Sequence, residues 1–267
     1  MHQEKKYNDY EYPKVSVIVP VYNSAEKISL TLDSILGQIY PDFELIIVDA
    51  GSTDCTLRVI NNYHDERIHV LTVSAYQRYE MLNRGISRST GDYINCLFPG
   101  DFYIHNKTLQ HMMEMALDNK KPDLVFCATL LREGKRDPKI LLRPLKMDFL
   151  KKGQQPTSLQ SCWIFADTLK MLGKFSSDYK LRGGFEFLCR FIQHPELRFF
   201  ATSHVLTDYD LRLVTRGMVM DHFIETFKAI RKHFGIYVLI QWLFIQKDIF
   251  RLFRIWFRSV KSAFVRN

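Results

Sequence analysis

Three short apolar segments that run directly into polar motifs constrain the fold of this chain more than any other feature. They are VSVIV at 15–19, LIIV at 45–48 and YINCL at 93–97. Runs that are apolar at nearly every position indicate strands buried on both faces. Apolar residues at helical spacing between the runs predict helices over 24–36 and 76–89. Strands that alternate with helices predict βαβ units, and so a mostly parallel, Rossmann-like α/β sheet with flanking helices.

The polar motifs lie where such a sheet binds ligands. Tyr22 and Asn23 follow the first strand, Asp49 opens the DAGSTD segment after the second, and Asp101 ends the PGD turn after the fourth. The carboxyl ends of parallel strands meet at one edge of the sheet, and ligands bind there. Tyr22 offers a stacking surface for a base, and Asp49 offers a carboxylate for a ribose hydroxyl. The turn at Gly51 precedes a helix, so its backbone N–H groups are free to bind an anion.

The same residues also have a purely structural interpretation. Asn23 suits the N-cap of the helix that follows it, with Glu26 three residues on to complete a capping box, and Asp54 suits the same position in the next helix. Asp101, after Pro-Gly, is typical of a turn. Asp49 fits this interpretation least, because it ends a buried apolar strand.

The positive charge of the chain belongs to its C-terminal part. The net charge is +8, and residues 230–267 contain eight lysines or arginines against one acid, Asp248. The other residues are therefore close to neutral together. This distribution does not favour a nucleic-acid partner, because the basic charge lies outside the predicted ligand-binding fold.

The basic C-terminal segment is also patterned. Residues 236–245 (IYVLIQWLFI) are apolar on almost all sides, but they are too few to span a bilayer, which needs about 20 residues. A basic stripe opposite bulky apolar side chains follows, as in a helix that lies in a membrane interface. An amphipathic helix packed on the protein itself is the alternative. The stripe consists of Arg251, Arg254, Arg258 and Lys261.

Two further features predict the compartment. The first residues, MHQEKKYNDYEYPK, are polar and contain no apolar segment of the kind found in signal peptides. The five cysteines are spread along the chain and are not spaced as metal ligands or as a redox pair. We therefore expect a cytoplasmic protein, bound peripherally to the inner face of the cell membrane through its C-terminal segment.

Three blocks of the sequence resemble those of family 2 glycosyltransferases. The blocks are KVSVIVPVYN, SILGQIYPDFELIIVDAGSTDCT and YEMLNRGISRSTGDYI, and their spacing is similar to the family's over about residues 14–110, with a looser likeness over 156–215. The subgroup with similar DGGSTD and YDAMNKG blocks works on bacterial polysaccharide or glycolipid. The resemblance implies a GT-A fold, which divides the chain into four regions. These are a polar N-terminal extension (1–13), a nucleotide-sugar-binding half (14–110), an acceptor-binding half (111–215) and basic, aromatic, amphipathic C-terminal helices (216–267).

The resemblance also implies which residues bind the donor, a nucleotide sugar. Two residues of the YEMLNRG block, Asn83 and Arg84, are expected near the donor's diphosphate or sugar. The residues expected around the nucleotide are Pro20, Tyr22, Asn23, Asp49, Gly51 and Asp54.

The first departure from the family pattern concerns a metal. The family's metal-binding acids end the fourth strand, usually as Asp-x-Asp-Asp, whereas residues 98–101 here read Phe-Pro-Gly-Asp. Phe98 and Gly100 have no side-chain ligand to offer. Asp101 is therefore the one predicted ligand of a divalent cation, Mn²⁺ or Mg²⁺, which would take its other oxygens from water and the donor phosphates.

The second departure concerns the catalytic base. When the chain is aligned on its FLCR segment, the family's usual aspartate falls at Gly184, and Glu186 is the next acid. We predict that Glu186 takes the proton of the acceptor hydroxyl as that hydroxyl attacks the anomeric carbon. Asp178 and Asp208 are the fallback candidates. Alternatively, Glu186 is an acid in the first turn of a helix, favoured there by the helix dipole.

Together these residues predict an inverting glycosyltransferase. It would transfer a sugar from a nucleotide diphosphate donor, a UDP sugar, to a glycan or lipid-linked acceptor in cell-surface polysaccharide or glycolipid synthesis. The alternative is a GT-A domain that binds nucleotide or glycan without turnover, because Phe98, Gly100 and Gly184 stand where acids are usual. A Rossmann oxidoreductase is disfavoured, because the first strand is not followed by a glycine-rich fingerprint.

Overall fold

A computed structural model describes residues 12–74, 76–132, 137–211 and 215–246. The strands of this part are β1 (Val15–Val21), β2 (Phe43–Asp49), β3 (Ile68–Thr72), β4 (Tyr93–Cys96), β5 (Leu124–Arg132), β6 (Lys139–Leu141), β7 (Cys162–Phe165) and β8 (Phe199–Asp210). Its helices are α1 (Ile28–Leu36), α2 (Thr56–Asn61), α3 (Arg78–Arg88), α4 (Thr108–Asp118), α5 (Met147–Lys151), α6 (Ala166–Leu172), α7 (Gly183–Phe191) and α8 (Arg216–Ile245).

The strands form one mixed sheet, and β1 lies at the centre of its parallel part. β2 and β4 pair with the two sides of β1, and β3 pairs with the outer side of β2, all in parallel. β7 joins β4 to β5 and is antiparallel to both, while β5 also pairs with β6 and β8. The chain thus runs outward from β1 to β3 and returns to the other side of β1 as β4. The boundary between β1 and β4 is therefore the topological switch point of the sheet.

Side chains of β1 alternate between two hydrophobic cores. Val17 and Val19 belong to the core that contains Leu32 of α1 and Met112 of α4. Ile18 points to the opposite face and belongs to the core built with α3, α7 and α8. Every residue of β1 is buried as a result, which is what its continuous apolar sequence predicted.

Helix α3 lies very close to β1 at Gly85. A Cβ atom at that position would lie 2.4 Å from Cγ2 of Ile18, closer than non-bonded carbons can pack. The glycine of the YEMLNRG block therefore fixes the distance between this helix and the central strand.

The capping box predicted at Asn23 is wrong. Helix α1 begins at Ile28, after an N-cap at Lys27 that makes no side-chain hydrogen bond. Asn23 instead adopts a φ of 44°, a left-handed conformation that asparagine tolerates better than most residues. Its Oδ1 accepts hydrogen bonds from the backbone N–H of Thr53, at 2.8 Å, and of Asp54, at 3.3 Å. The side chain thus joins two loops rather than capping a helix.

Helix α8 has a break at Gly235, where φ is 82° and ψ is 177°. Before the break, the helix packs Ala229 and Ile230 into the core. After it, Tyr237 and Phe244 are exposed. Within the described part of the chain, no helix has both the length and the apolar character needed to span a bilayer. The basic stripe at 251–261 lies outside the described residues.

Candidate active site

A cleft of about 460 Å³ opens at the switch point, beyond the carboxyl ends of β1 and β4. Its walls come from the loops after β1, β2 and β4, the start of α3, the end of β8 and the start of α8. The sequence-predicted residues that line it are Pro20, Tyr22, Asn23, Asp54 and Asp101. Those that do not line it are Asp49, Gly51, Asn83, Arg84 and Glu186.

An aromatic pair forms one wall of the cleft. The rings of Tyr22 and Tyr76 lie 5.6 Å apart between centroids, and the two residues are 42% and 53% exposed. A planar base can stack on such a surface. Tyr76 was missed as a site residue, because the pattern of 76–89 placed it in a helix that in fact begins at Arg78.

Asp49 lies beneath this surface, with its side chain fully buried. Its carboxylate accepts hydrogen bonds from the backbone N–H of Gly51 and of Ser52, each at 3.0 Å, and from the hydroxyl of Ser52 at 2.5 Å. The Ser52 hydroxyl oxygen in turn accepts the N–H of Asn23 at 3.0 Å. Asp49 thus positions the two loops that form the cleft wall. Gly51 completes this turn with a φ of 75°, where glycine carries no steric penalty.

Asp101 is the buried acid of the cleft. It is 4% exposed, and Nε2 of Gln160 donates a hydrogen bond of 2.6 Å to its carboxylate. Burial raises the pKa of Asp101 to about 7, although the hydrogen bonds from Gln160 and from the backbone N–H of Asp210 oppose this shift. The carboxyl can therefore change its protonation state near neutral pH.

Two basic side chains, Arg78 and Lys27, line the cleft beside Asp101. The guanidinium carbon of Arg78 lies 4.5 Å from the centre of the Phe98 ring, a cation–π contact. The sequence analysis missed Arg78 as a site residue. Its one signal in the sequence is that it immediately precedes the YEMLNRG block. The predicted arginine of that block, Arg84, instead lies on the surface and pairs with Glu80 at 3.6 Å.

Asn83 holds helix α3 against the second half of the chain. Its Nδ2 donates to the carbonyl of Phe175 at 2.7 Å, and its Oδ1 accepts the N–H of Phe175 at 3.0 Å. Both ends of the amide are engaged, so the structure does not bring Asn83 to the cleft as a donor-binding group.

Glu186 lies in an ion-pair cluster away from the cleft. Its side chain is 0% exposed and is 3.0 Å from nitrogen atoms of Arg190, Lys232 and His233. Burial alone would raise the pKa of Glu186, but the hydrogen bond with His233 and the charges of Arg190 and Lys232 hold it at about 2. This placement corrects the expectation of a base facing an acceptor, because the carboxylate is strongly stabilised as an anion and joins α7 to α8.

The two fallback acids are not free in the cleft either. Asp178 is exposed and pairs with Lys228 at 3.7 Å. Asp208 is buried, and both its oxygens accept hydrogen bonds of 2.6 Å from Arg132. The cleft is lined by other acids, namely Glu26, Asp54, Asp101 and Asp210.

The donor set of the cleft does not fit a protein-held divalent cation. Phe98 and Gly100 occupy two of the positions where acids are usual, and Asp101 already accepts hydrogen bonds from Gln160 and Asp210. Among the described residues, no three acids, histidines or cysteines come together as a metal-binding group. A hard cation prefers several oxygen ligands. Asp101 lacks the two acids that the family pattern supplies at 98 and 100, and the other acids of the cleft do not group with it as metal ligands, so it makes a poor site for Mn²⁺ or Mg²⁺.

A sheet whose central strands are parallel, with an aromatic and polar cleft at its switch point, places the chain among the α/β proteins that bind ligands at this edge. Comparison with known families makes this specific. Residues 16–177, more than half of the chain, match Glycosyl transferase family 2. The chain therefore belongs to this family, as the sequence blocks predicted.

Curated relatives agree with this assignment. A PGL/p-HBAD biosynthesis glycosyltransferase of Mycobacterium tuberculosis is 32% identical over 123 residues, which are 45% of this chain and 48% of that protein. The chain spans less than half the length of the curated relatives it matches.

Two solved structures share the fold. Staphylococcus aureus TarS 1–349 in complex with UDP-GlcNAc aligns with a TM-score of 0.68 at 20% identity, over 82% of this chain and 66% of that one. The mannosyltransferase PcManGT from Pyrobaculum calidifontis, in complex with GDP-Man and Mn²⁺, aligns with a TM-score of 0.62 at 22% identity, over 85% and 68%. The predicted GT-A fold is confirmed.

We predict that Glu186→Gln destabilises the protein by about 3 kcal/mol at pH 7. The substitution removes the buried negative charge that pairs with Arg190, Lys232 and His233. The folded pKa of about 2 lies below the ordinary value of 4.5. The stabilisation is therefore present at neutral pH and declines as the pH falls from about 4.5 towards 2. Urea unfolding at pH 7 and pH 3 should show that the gap between wild type and variant narrows at pH 3.

The matched control is Glu80→Gln, which removes the charge of an exposed pair and should change stability by no more than about 0.5 kcal/mol. Equal effects of the two substitutions would contradict the structural role of Glu186.

Proposed function

We propose that this protein is an inverting glycosyltransferase that takes a sugar from a nucleoside diphosphate donor, a UDP sugar. The observation that carries the proposal is the cleft at the switch point, which combines a stacking surface, basic side chains and a buried acid. These are the groups that a base, a diphosphate and a transferred proton require.

The donor would bind with its base against Tyr22 and Tyr76 and its diphosphate towards Arg78 and Lys27. Pro20, Asn23 and Asp54 would border the nucleotide, while Asp49 and Gly51 would act by holding the loop in shape. The solved structures with the same fold contain UDP-GlcNAc in TarS and GDP-Man in PcManGT. These complexes support a nucleotide-sugar donor, and we favour UDP.

The acceptor is a glycan or a lipid-linked sugar in cell-surface polysaccharide or glycolipid synthesis. The name of the mycobacterial relative indicates a role in PGL/p-HBAD biosynthesis, which supports an acceptor of this class. Residues 111–215 would form the acceptor-binding half. A small pocket next to the donor cleft is lined by Gln160, Gly184 and Leu188 and shares Arg78 with it, which is a suitable place for the acceptor.

We assign the role of base to Asp101 in place of Glu186. In an inverting transfer the acceptor oxygen attacks the anomeric carbon, its proton passes to a carboxylate, and the bond from that carbon to the diphosphate oxygen breaks. A base works best when its pKa is near the working pH, and the pKa of Asp101 is about 7. The predicted divalent cation has no part in this step, because the donor set of the cleft does not suit it.

A membrane-bound acceptor would be met at the inner face of the cell membrane. Support comes from the exposed apolar residues after the break in α8, Ile236, Tyr237 and Phe244, and from the basic residues of 247–267. Apolar and basic groups together bind anionic lipid surfaces. Sedimentation with anionic and with neutral vesicles measures this binding directly. If equal amounts of the protein stay in the supernatant with both kinds of vesicle, binding to anionic lipid is contradicted.

A second candidate function is nucleotide or glycan binding without turnover. It is favoured by one observation, the engagement of Glu186 in ion pairs while glycine occupies position 184. Donor binding without any donor hydrolysis or transfer would support this function over the first.

We predict that Tyr22→Ala weakens UDP binding about 10- to 100-fold, because stacking of a base on an aromatic ring contributes about 1–3 kcal/mol. Isothermal titration calorimetry with UDP measures the change. Tyr237→Ala removes another exposed tyrosine, from α8 and away from the cleft, and should leave the affinity unchanged. An unaltered Kd for Tyr22→Ala would show that the nucleotide base does not stack on this wall.

We also predict that Asp101→Asn lowers donor hydrolysis at least 100-fold, the usual contribution of a general base. The wild-type rate should rise with pH through about 7, as the carboxyl ionises, and the residual rate of the variant should lack this rise. Asp178→Asn, which changes an exposed acid outside the cleft, is the control. A variant with the wild-type rate and pH profile would show that Asp101 is not the base.

A further inference from the structure

We propose that Arg78 and Lys27 take the place of a divalent cation in binding the donor diphosphate, so that donor binding is independent of metal. This inference rests on the proposed function. It starts from positions 98 and 100, where family members usually carry metal-binding acids. Phe98 lines the cleft, and Gly100 lies in the turn between two lining residues, Pro99 and Asp101. Neither residue has a side-chain ligand for a metal, and each lies against a basic side chain.

Position 98 provides a platform for Arg78. The guanidinium carbon lies 4.5 Å from the centre of the Phe98 ring, so the aromatic face holds the cation at the cleft wall. Both residues line the cleft. An aspartate here would offer oxygens to a metal, whereas phenylalanine stabilises a positive charge that belongs to the protein.

Position 100 makes room for Lys27. Gly100 has a φ of 98°, and the Cδ and Cβ atoms of Lys27 come within 3.6 and 3.8 Å of where its Cβ would be. The aliphatic part of the lysine therefore lies over the glycine, and the residue lines the cleft. A longer side chain at position 100 would compete with Lys27 for this place.

The two basic groups are available for an anion. Within the part of the chain that the structure describes, neither Arg78 nor Lys27 has an acid within ion-pair distance. Three of the four acids that line the cleft have other partners, including Asp210, which lies 4.0 Å from Arg132. Asp54 accepts hydrogen bonds from Thr56 and from the N–H of Ala25, and Asp101 accepts one from Gln160.

The chemistry of the two groups suits a diphosphate. A guanidinium presents paired N–H donors that match the oxygens of a phosphate, and an ammonium adds a second, mobile charge. Such groups can neutralise the negative charge that develops on the leaving diphosphate without a metal. This assigns to the protein's own cations the role that a metal has in other members of the family.

The test is calorimetry of UDP with the full chain, once in EDTA and once with Mn²⁺. We expect the two dissociation constants to agree within about threefold. Arg78→Ala should weaken binding about 10- to 100-fold in both buffers, since charge-assisted hydrogen bonds are lost. Arg78→Lys should lose less affinity for UDP than Arg78→Ala, because lysine keeps the charge but not the paired donors. Lys27→Ala should also weaken UDP binding less than Arg78→Ala.

The matched control is Arg84→Ala, on the same helix but outside the cleft, which should bind UDP as wild type does. Thermal unfolding of each variant separates loss of binding from loss of fold, and Arg78→Lys keeps the test informative if Arg78→Ala does not fold. UDP binding that requires Mn²⁺, or wild-type affinity in Arg78→Ala, would overturn the inference and leave the proposed function standing. No binding of UDP or GDP by wild type in either buffer would overturn both.

Discussion

The buried carboxylate of Asp49 is the interaction on which the site depends. It ends β2 inside the protein, where an unpaired charge would be costly, and is satisfied by the N–H groups and hydroxyl of the following turn. That turn reaches across to Asn23 after β1. The loops after two neighbouring strands are thereby held as one unit. This polar network stabilises the cleft wall that carries Tyr22.

The central strands of the parallel half, β1, β2 and β4, could be predicted from the sequence, because they are buried on both faces and their sequences are apolar at nearly every position. β7 and β8 could not. β7 is four residues long, and β8 mixes polar with apolar residues since many of its positions are exposed. In the site, residues that directly follow strands, such as Tyr22 and Asp101, were found in advance. Arg78 was not, because its position depends on how α3 docks against β1.

The acids of the second half of the chain are largely used for structure. Glu186 joins α7 to Lys232 and His233 of α8. Glu225 of α8 accepts the N–H groups of Lys180, Leu181 and Arg182 just before α7 begins, where a negative charge is favourable. Sequence alignment could identify Glu186 as an acid near the expected position. It could not predict that α7 directs this side chain towards α8 instead of the cleft. The acids that line the cleft are different ones.

The close contact between Gly85 and Ile18 links the core to the cleft. Helix α3 is short and regular, so its first residue, Arg78, moves with the helix as a rigid body. A side chain at position 85 would push α3 away from β1, and the guanidinium of Arg78 would shift relative to the Phe98 ring. A substitution at this buried position, two turns of helix from Arg78, would therefore change the electrostatics of the cleft without changing any residue that lines it.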